Sequence, residues 1–117
     1  MGIATATITN AEEYEKVLST SHPVFLLFVS ARCPACADTG PLFERIAARH
    51  PDIVSLVLDC ANTPQHPHVK GTPTLLVYVM GELMEIIEGF YPIKDQEKTV
   101  EELFDRYVQR PLLHGTT

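Results

Sequence analysis

Three short apolar runs constrain this chain more than anything else in it: Val24–Val29, Ile53–Leu58 and Thr74–Val79. None alternates apolar with polar residues, as a strand with one wet face does. A continuous Val/Ile/Leu/Phe run of this length is a strand covered on both faces, and both faces can be covered only by layers on either side of a sheet. The segments between the runs supply those layers. Ala11, Tyr14 and Leu18 share one helical face, with Glu12, Glu15 and Lys16 outside it. Leu42, Phe43, Ile46 and Ala47 do the same within a predicted helix over 34–50, and Val100, Leu103, Phe104, Tyr107 and Val108 within one over 96–109. Ala4–Ile8 alternates threonine with apolar residues, which suits a short first strand. Thr9 with Glu12, or Asn10 with Glu13, forms a capping-box pattern at the first helix. Met80-Gly81-Glu82 reads as a hairpin turn into a more amphipathic edge strand over 83–88, closed by Gly89. Gly40-Pro41 predicts a kink in the second helix, and Pro111 a stop to the last one. Residues 60–70 read as a loop with one short helical turn. The order is β-α-β-α-β-α-β-β-α, an α/β sandwich whose closing hairpin makes the sheet mixed.

The 117 residues make one domain over 1–117, with residues 111–117 expected to be a flexible tail. A net charge of −6 excludes partners that need clustered lysine and arginine, nucleic acid and anionic membrane surfaces among them. Apolar runs the length of Val24–Val29 fall far short of the ~20 residues of a membrane span. No secretory signal is visible at the N-terminus, so a reducing cytoplasm is the expected location. Three cysteines are too few for a structural disulfide framework and an odd number for one, which points to reactive or metal-binding thiols.

Two of those cysteines carry the chemistry. Cys33-Pro34-Ala35-Cys36 follows the first apolar run by a turn, Ser30-Ala31-Arg32, and opens a helix. Cys33 is expected at the helix N-cap with Pro34 at the first helical position, where its missing N–H costs nothing. First-turn amides and the Arg32 charge both favour a thiolate on Cys33. Cys36, one turn on, is expected to be more buried. The pair fits a dithiol that cycles with a disulfide, Cys33 attacking and Cys36 resolving. It also fits half a zinc site, with Cys60, His66 and His68 as the remaining donors, although the spacing matches no common pattern. A second constellation is Gly71-Thr72-Pro73-Thr74, where a proline opens a buried strand. A cis bond there would turn the Thr72 backbone outward to pair with an extended peptide.

With CxxC at the second strand–helix junction, Pro41 five residues after Cys36, Thr-Pro-Thr opening the penultimate strand and Gly89 after the last, the chain resembles the thioredoxin family over nearly its whole length. The resemblance implies a thioredoxin fold, a three-layer α/β/α sandwich with a central mixed sheet. It implies thiol–disulfide exchange with protein disulfide or dithiol substrates, electrons from a partner reductase or donor dithiol, and no bound cofactor or metal; the oligomeric state stays open, with a monomer as the default expectation. By position, Cys33 and Cys36 would be catalytic. Arg32, Pro34, Thr72, cis-Pro73 and Gly89 would border the substrate.

Departures from the family pattern are equally informative. Arg32 stands where thioredoxins have tryptophan, and Pro34-Ala35 where they have Gly-Pro. Leu27 replaces a buried aspartate thought to deprotonate the second cysteine, and about Ser55 replaces its lysine partner. The base that would serve Cys36 is missing, which leaves water or Asp38. Two other functions fit the same residues: a redox-inert binding or adaptor module on this fold, and a zinc-binding domain. Cys60 reads as a small apolar residue near the sheet end or, alternatively, a regulatory thiol. His22 and His50 read as surface residues, and Glu82, Glu85 and Glu88 as the solvated side of the edge strand.

Overall fold

Val24–Val29 forms strand β2, and five of its six residues are buried, as a two-sided strand requires. The computed structural model describes residues 3–5, 11–61, 68–89 and 95–116. Its elements are β1 (Ile3–Thr5), α1 (Ala11–Leu18), β2, α2 (Cys36–Ala47), β3 (Val54–Asp59), β4 (Thr74–Val79), β5 (Glu82–Glu88) and α3 (Gln96–Thr116). The five strands are ordered β1-β3-β2-β4-β5. β3 is parallel to β1 and β2, whereas β4 is antiparallel to both β2 and β5. The proposed helical turn between β3 and β4, and the capping residues Thr9 and Asn10, lie outside the described residues.

The sheet is covered on both sides, as the unbroken apolar runs require. Phe25, Leu27, Val57, Leu75 and Val77 pack on one side with Phe43 and Ile46 of α2 and with Val100, Phe104 and Tyr107 of α3. Phe25 meets Phe104 at 4.5 Å between ring centroids and Tyr107 edge-on at 5.8 Å. Leu26, Phe28, Leu56, Leu58 and Leu76 form the opposite face, against which Val17 and Leu18 of α1 pack. This is the three-layer α/β/α sandwich with a mixed sheet. Truncating any of the fully buried phenylalanines to alanine costs about 3–5 kcal/mol.

The β4–β5 hairpin turns on Met80 (φ 55°) and Gly81 (φ 80°), both left-handed, which is the two-residue geometry that matches strand twist. Next to it the ladder skips Met84: Tyr78 pairs with Leu83, but Val77 pairs with Glu85. This bulge reverses which face each following residue takes. Leu83 and Ile86 therefore share the α1 side of the sheet, and Glu85 is turned to the α3 side.

Several expectations are corrected. Glu85 is not on a solvated face: it is half-buried and accepts hydrogen bonds from Arg106 at 2.7 Å and from the Tyr107 hydroxyl. α3 does not stop at Pro111 but continues to Thr116. A proline deletes one amide donor and crowds the turn before it, which kinks a helix without having to end it. Pro41 lies inside α2 in the same way. His50 is half-buried, with its ring stacked on Phe104 at 5.1 Å. Cys60 is exposed, because it falls one residue past the end of β3 and only its backbone is held, donating to the Val29 carbonyl at 3.0 Å.

Candidate active site

The site lies where β2 ends and β4 begins. The two strands are antiparallel, with Phe28 opposite Thr74, so the turn after β2 and the residues before β4 meet at one end of the sheet. Ser30 organises that turn. Its hydroxyl accepts from the Arg32 N–H at 3.2 Å and its carbonyl from the Cys33 N–H at 3.2 Å. The turn over Ser30-Ala31-Arg32 is the one expected from the sequence, where a serine just after a strand is a turn-forming signal, but the bonds that Ser30 makes are visible only in the structure.

α2 begins at Cys36 rather than at Pro34, and its N-cap is Ala35, already in the helical region at φ −66° and ψ −30°. The difference is one of bonding pattern. Cys36, Ala37 and Asp38 donate to the carbonyls of Cys33, Pro34 and Ala35 at 3.1–3.2 Å, a tight i→i+3 turn, before Thr39 makes the first α-helical bond. Ala35 has no side chain to cap the helix. The Cys33 sulfur takes that role, accepting the Cys36 N–H at 3.1 Å. A helix-start amide aimed at the sulfur favours its ionised form.

Cys33 and Cys36 are joined as a disulfide, with their Cα atoms 5.2 Å apart. Their surroundings differ. Cys36 is 8% exposed, whereas Cys33 is only half-buried and opens onto a surface groove. That groove, of about 650 Å³, is bordered by Ser30, Arg32, Cys33, Pro34, Asp38 and Thr72. The Thr72–Pro73 bond is cis. The Pro73 carbonyl accepts from Gly89 at 2.9 Å, with Gly89 at φ 71°, and the Thr74 hydroxyl donates to the Gly71 carbonyl at 2.6 Å. These bonds fix both sides of Thr72 and leave its own backbone groups with no hydrogen bond among the described residues. Arg32, Cys33, Pro34 and Thr72 thus border one groove. Gly89 reaches it through Pro73.

Strand β2, which leads into the site, is apolar. Leu27 is fully buried, opposite Val57 in β3 and Leu75 in β4, and Ser55 sits two positions away, opposite Phe25. Besides the tyrosines Tyr78 and Tyr107, the buried polar side chains among the described residues are Thr39, Ser55, Thr74 and Gln96, and none of the six is a carboxylate. Thr39, one turn beyond Cys36, donates to the Gln96 side-chain oxygen at the start of α3. The Cys60 thiol is pushed above its ordinary value by partial burial and, secondarily, by the neighbouring Asp59 carboxylate. Of its proposed zinc partners, His66 lies outside the described residues and His68 is exposed.

The thioredoxin family model matches residues 5–102. Thioredoxin 1 of Synechococcus elongatus is 30% identical over 98 residues, which cover 79% of this chain and 89% of that protein. The thioredoxin of Mycoplasmoides gallisepticum is 31% identical over 88 residues, covering 73% of this chain and 88% of that one. Among solved structures, the thioredoxin of Malassezia sympodialis superposes with a TM-score of 0.76 at 16% identity, over 92% of this chain and 93% of that one. Among the described residues, no helix is long and apolar enough to cross a membrane.

Proposed function

The chain belongs to the thioredoxin family of disulfide oxidoreductases, and from that premise we propose that it exchanges disulfides with protein substrates through Cys33 and Cys36. The observation that carries the reading is the asymmetry of the pair. Cys33 faces the groove with a helix-start amide on its sulfur, and Cys36 is buried behind it.

In the dithiol form, the Cys33 thiolate attacks one sulfur of a substrate disulfide. The substrate S–S bond breaks, and its other sulfur leaves as a thiolate that takes a proton from water. The Cys36 thiolate then attacks the Cys33 sulfur of the mixed disulfide, forming Cys33–Cys36 and releasing the second substrate thiol. The substrate gains two electrons and the protein loses two. A donor dithiol or a partner reductase returns them. The Thr72 backbone holds the substrate strand by main-chain hydrogen bonds, as a free peptide edge does. No bound cofactor takes part. Leu27 provides no base, so the Cys36 proton passes to water or to Asp38 at the groove. The reducing cytoplasm suits a chain with a free, exposed Cys60 thiol.

Replacing Cys36 by serine tests the reading. Incubated with a disulfide-bonded protein, Cys36→Ser accumulates a covalent adduct through Cys33, visible by non-reducing electrophoresis and released by reductant. Cys33→Ser accumulates none. A protein that binds its partners equally well with both cysteines replaced, and forms no adduct, is an adaptor instead.

A further inference from the structure

The arginines with described side chains are Arg32, Arg45, Arg49 and Arg106. Arg45 pairs with Glu97, Arg49 with Glu101 and Arg106 with Glu85, at 3.6, 3.1 and 2.7 Å. Arg32 has no ion-pair partner among the described residues, although acids outnumber lysine and arginine fifteen to nine in the chain. It is also the arginine that borders the Cys33 groove, and it is exposed there. Asp38 borders the same groove but forms no ion pair with Arg32. The bond Arg32 makes to Ser30 comes from its backbone N–H, and its guanidinium forms no ion pair among the described residues.

We infer that Arg32 selects substrates by charge: the preferred substrate is a peptide disulfide with a carboxylate side chain flanking the cysteine that Cys33 attacks. This rests on the exchange activity proposed above and names its substrate class. Three observations combine. A guanidinium presents paired donors suited to a carboxylate. The Thr72 backbone, with no hydrogen bond among the described residues, can pair with an extended peptide in the groove that Arg32 also borders, which would bring the side chain next to the attacked cysteine towards Arg32. And Arg32 puts an unpaired cation at the groove itself, whereas Lys16, Lys70 and Lys98, which also have no ion pair among the described residues, do not border it; in a chain of net charge −6 this is a local exception to a field that disfavours acidic partners. At physiological salt that field is screened beyond about 8 Å, and the contact at Arg32 decides.

The test uses three synthetic peptides with an internal disulfide, identical except for a glutamate, glutamine or lysine flanking the same cysteine. Each is reduced by the full-length protein in its dithiol form at 0.15 M salt. Each rate is divided by that peptide's rate with an uncharged small dithiol, which removes differences in intrinsic disulfide reactivity. Taking the ratio of acidic to basic peptide also cancels any effect of Arg32 on the reactivity of Cys33. The wild-type kcat/KM favours the acidic over the neutral peptide by about threefold, the size an exposed ion pair supports. The basic peptide falls below the neutral one. Arg32→Gln brings the acidic-to-basic ratio to one or lower, Arg32→Glu inverts it, and Arg45→Gln leaves it as in the wild type. A ratio unchanged by both Arg32 substitutions overturns the inference, as does an equal change in Arg45→Gln, which would mark a general charge effect. Exchange with all three peptides but no charge preference leaves the dithiol activity standing without this selectivity. No exchange with any peptide, and no adduct in Cys36→Ser, removes both.

Discussion

Cys33 and Cys36 lie one helical turn apart, but only Cys33 has an amide on its sulfur and an opening to solvent. Cys36 is buried, and in the sheet Leu27 of β2 is the register partner of Val57 of β3 within the apolar core. Without a buried acid there, resolution of the mixed disulfide depends on the thiolate that Cys36 forms unaided, so the step should speed up steadily as pH rises through the thiol range. Leu27→Asp should raise the resolution rate at pH 7 several-fold in stopped-flow measurements. It should also destabilise the fold by at least about 3 kcal/mol, the cost of replacing a buried leucine with an unpaired polar group. Leu27→Asn shares the packing defect without the base and should show no such acceleration. Cys60 is the opposite case, an exposed thiol whose surroundings disfavour the thiolate. Partial burial and, secondarily, the Asp59 carboxylate push its thiol above the usual range, so iodoacetamide should modify it slowly at pH 7 and progressively faster above pH 9. Cys60→Ser should leave exchange rates unchanged.

Strands β2 and β4 have the bounds their apolar runs predict, because burial on both faces leaves no other reading of Val24–Val29 or Thr74–Val79. β5 was legible as an edge but not in its register. The skipped Met84 is a property of the pairing with β4, and nothing in Glu82–Glu88 alone announces that Glu85 turns inward to Arg106 and Tyr107. That contact ties the edge strand to α3. A double-mutant cycle of Glu85→Gln and Tyr107→Phe in urea should give a coupling energy of about 1 kcal/mol, against near zero for residues that do not touch. The start of α2 was misplaced by two residues for a similar reason. Its first turn uses i→i+3 bonds, and the Cys33 sulfur substitutes for a side-chain oxygen cap, a role no propensity scale records. At the hairpin, Met80 occupies a left-handed position that asparagine tolerates better. Met80→Asn should therefore stabilise the fold by about 0.5–1 kcal/mol, read as a higher urea midpoint with unchanged slope.

The whole molecule assembles one reactive groove from segments far apart in sequence. Antiparallel pairing of β2 with β4 brings residues 30–38 and 71–74 to the same end of the sheet, and the two-sided core holds them there. The motifs for both segments were legible in the sequence. That Arg32 at their meeting point has no ion pair among the described residues was not, because the pairing of the other described arginines is visible only in three dimensions. Two features act on the redox balance in the same direction: the helix-start amide on the Cys33 sulfur and the nearby Arg32 cation both stabilise the thiolate, and thus the dithiol form, over the disulfide. Each ~30 mV of potential corresponds to about 1.4 kcal/mol, so a single charge registers. The central claim is that Cys33–Cys36 is a reversible two-electron couple, poised to be more oxidising than a general thioredoxin. Equilibration of the protein with glutathione redox buffers, quantified by thiol alkylation and mass, tests it directly. The expected result is one two-electron transition with a potential less negative than the about −270 mV of thioredoxin. A potential at or below that value, or a pair that does not equilibrate with the buffer at all, would contradict it.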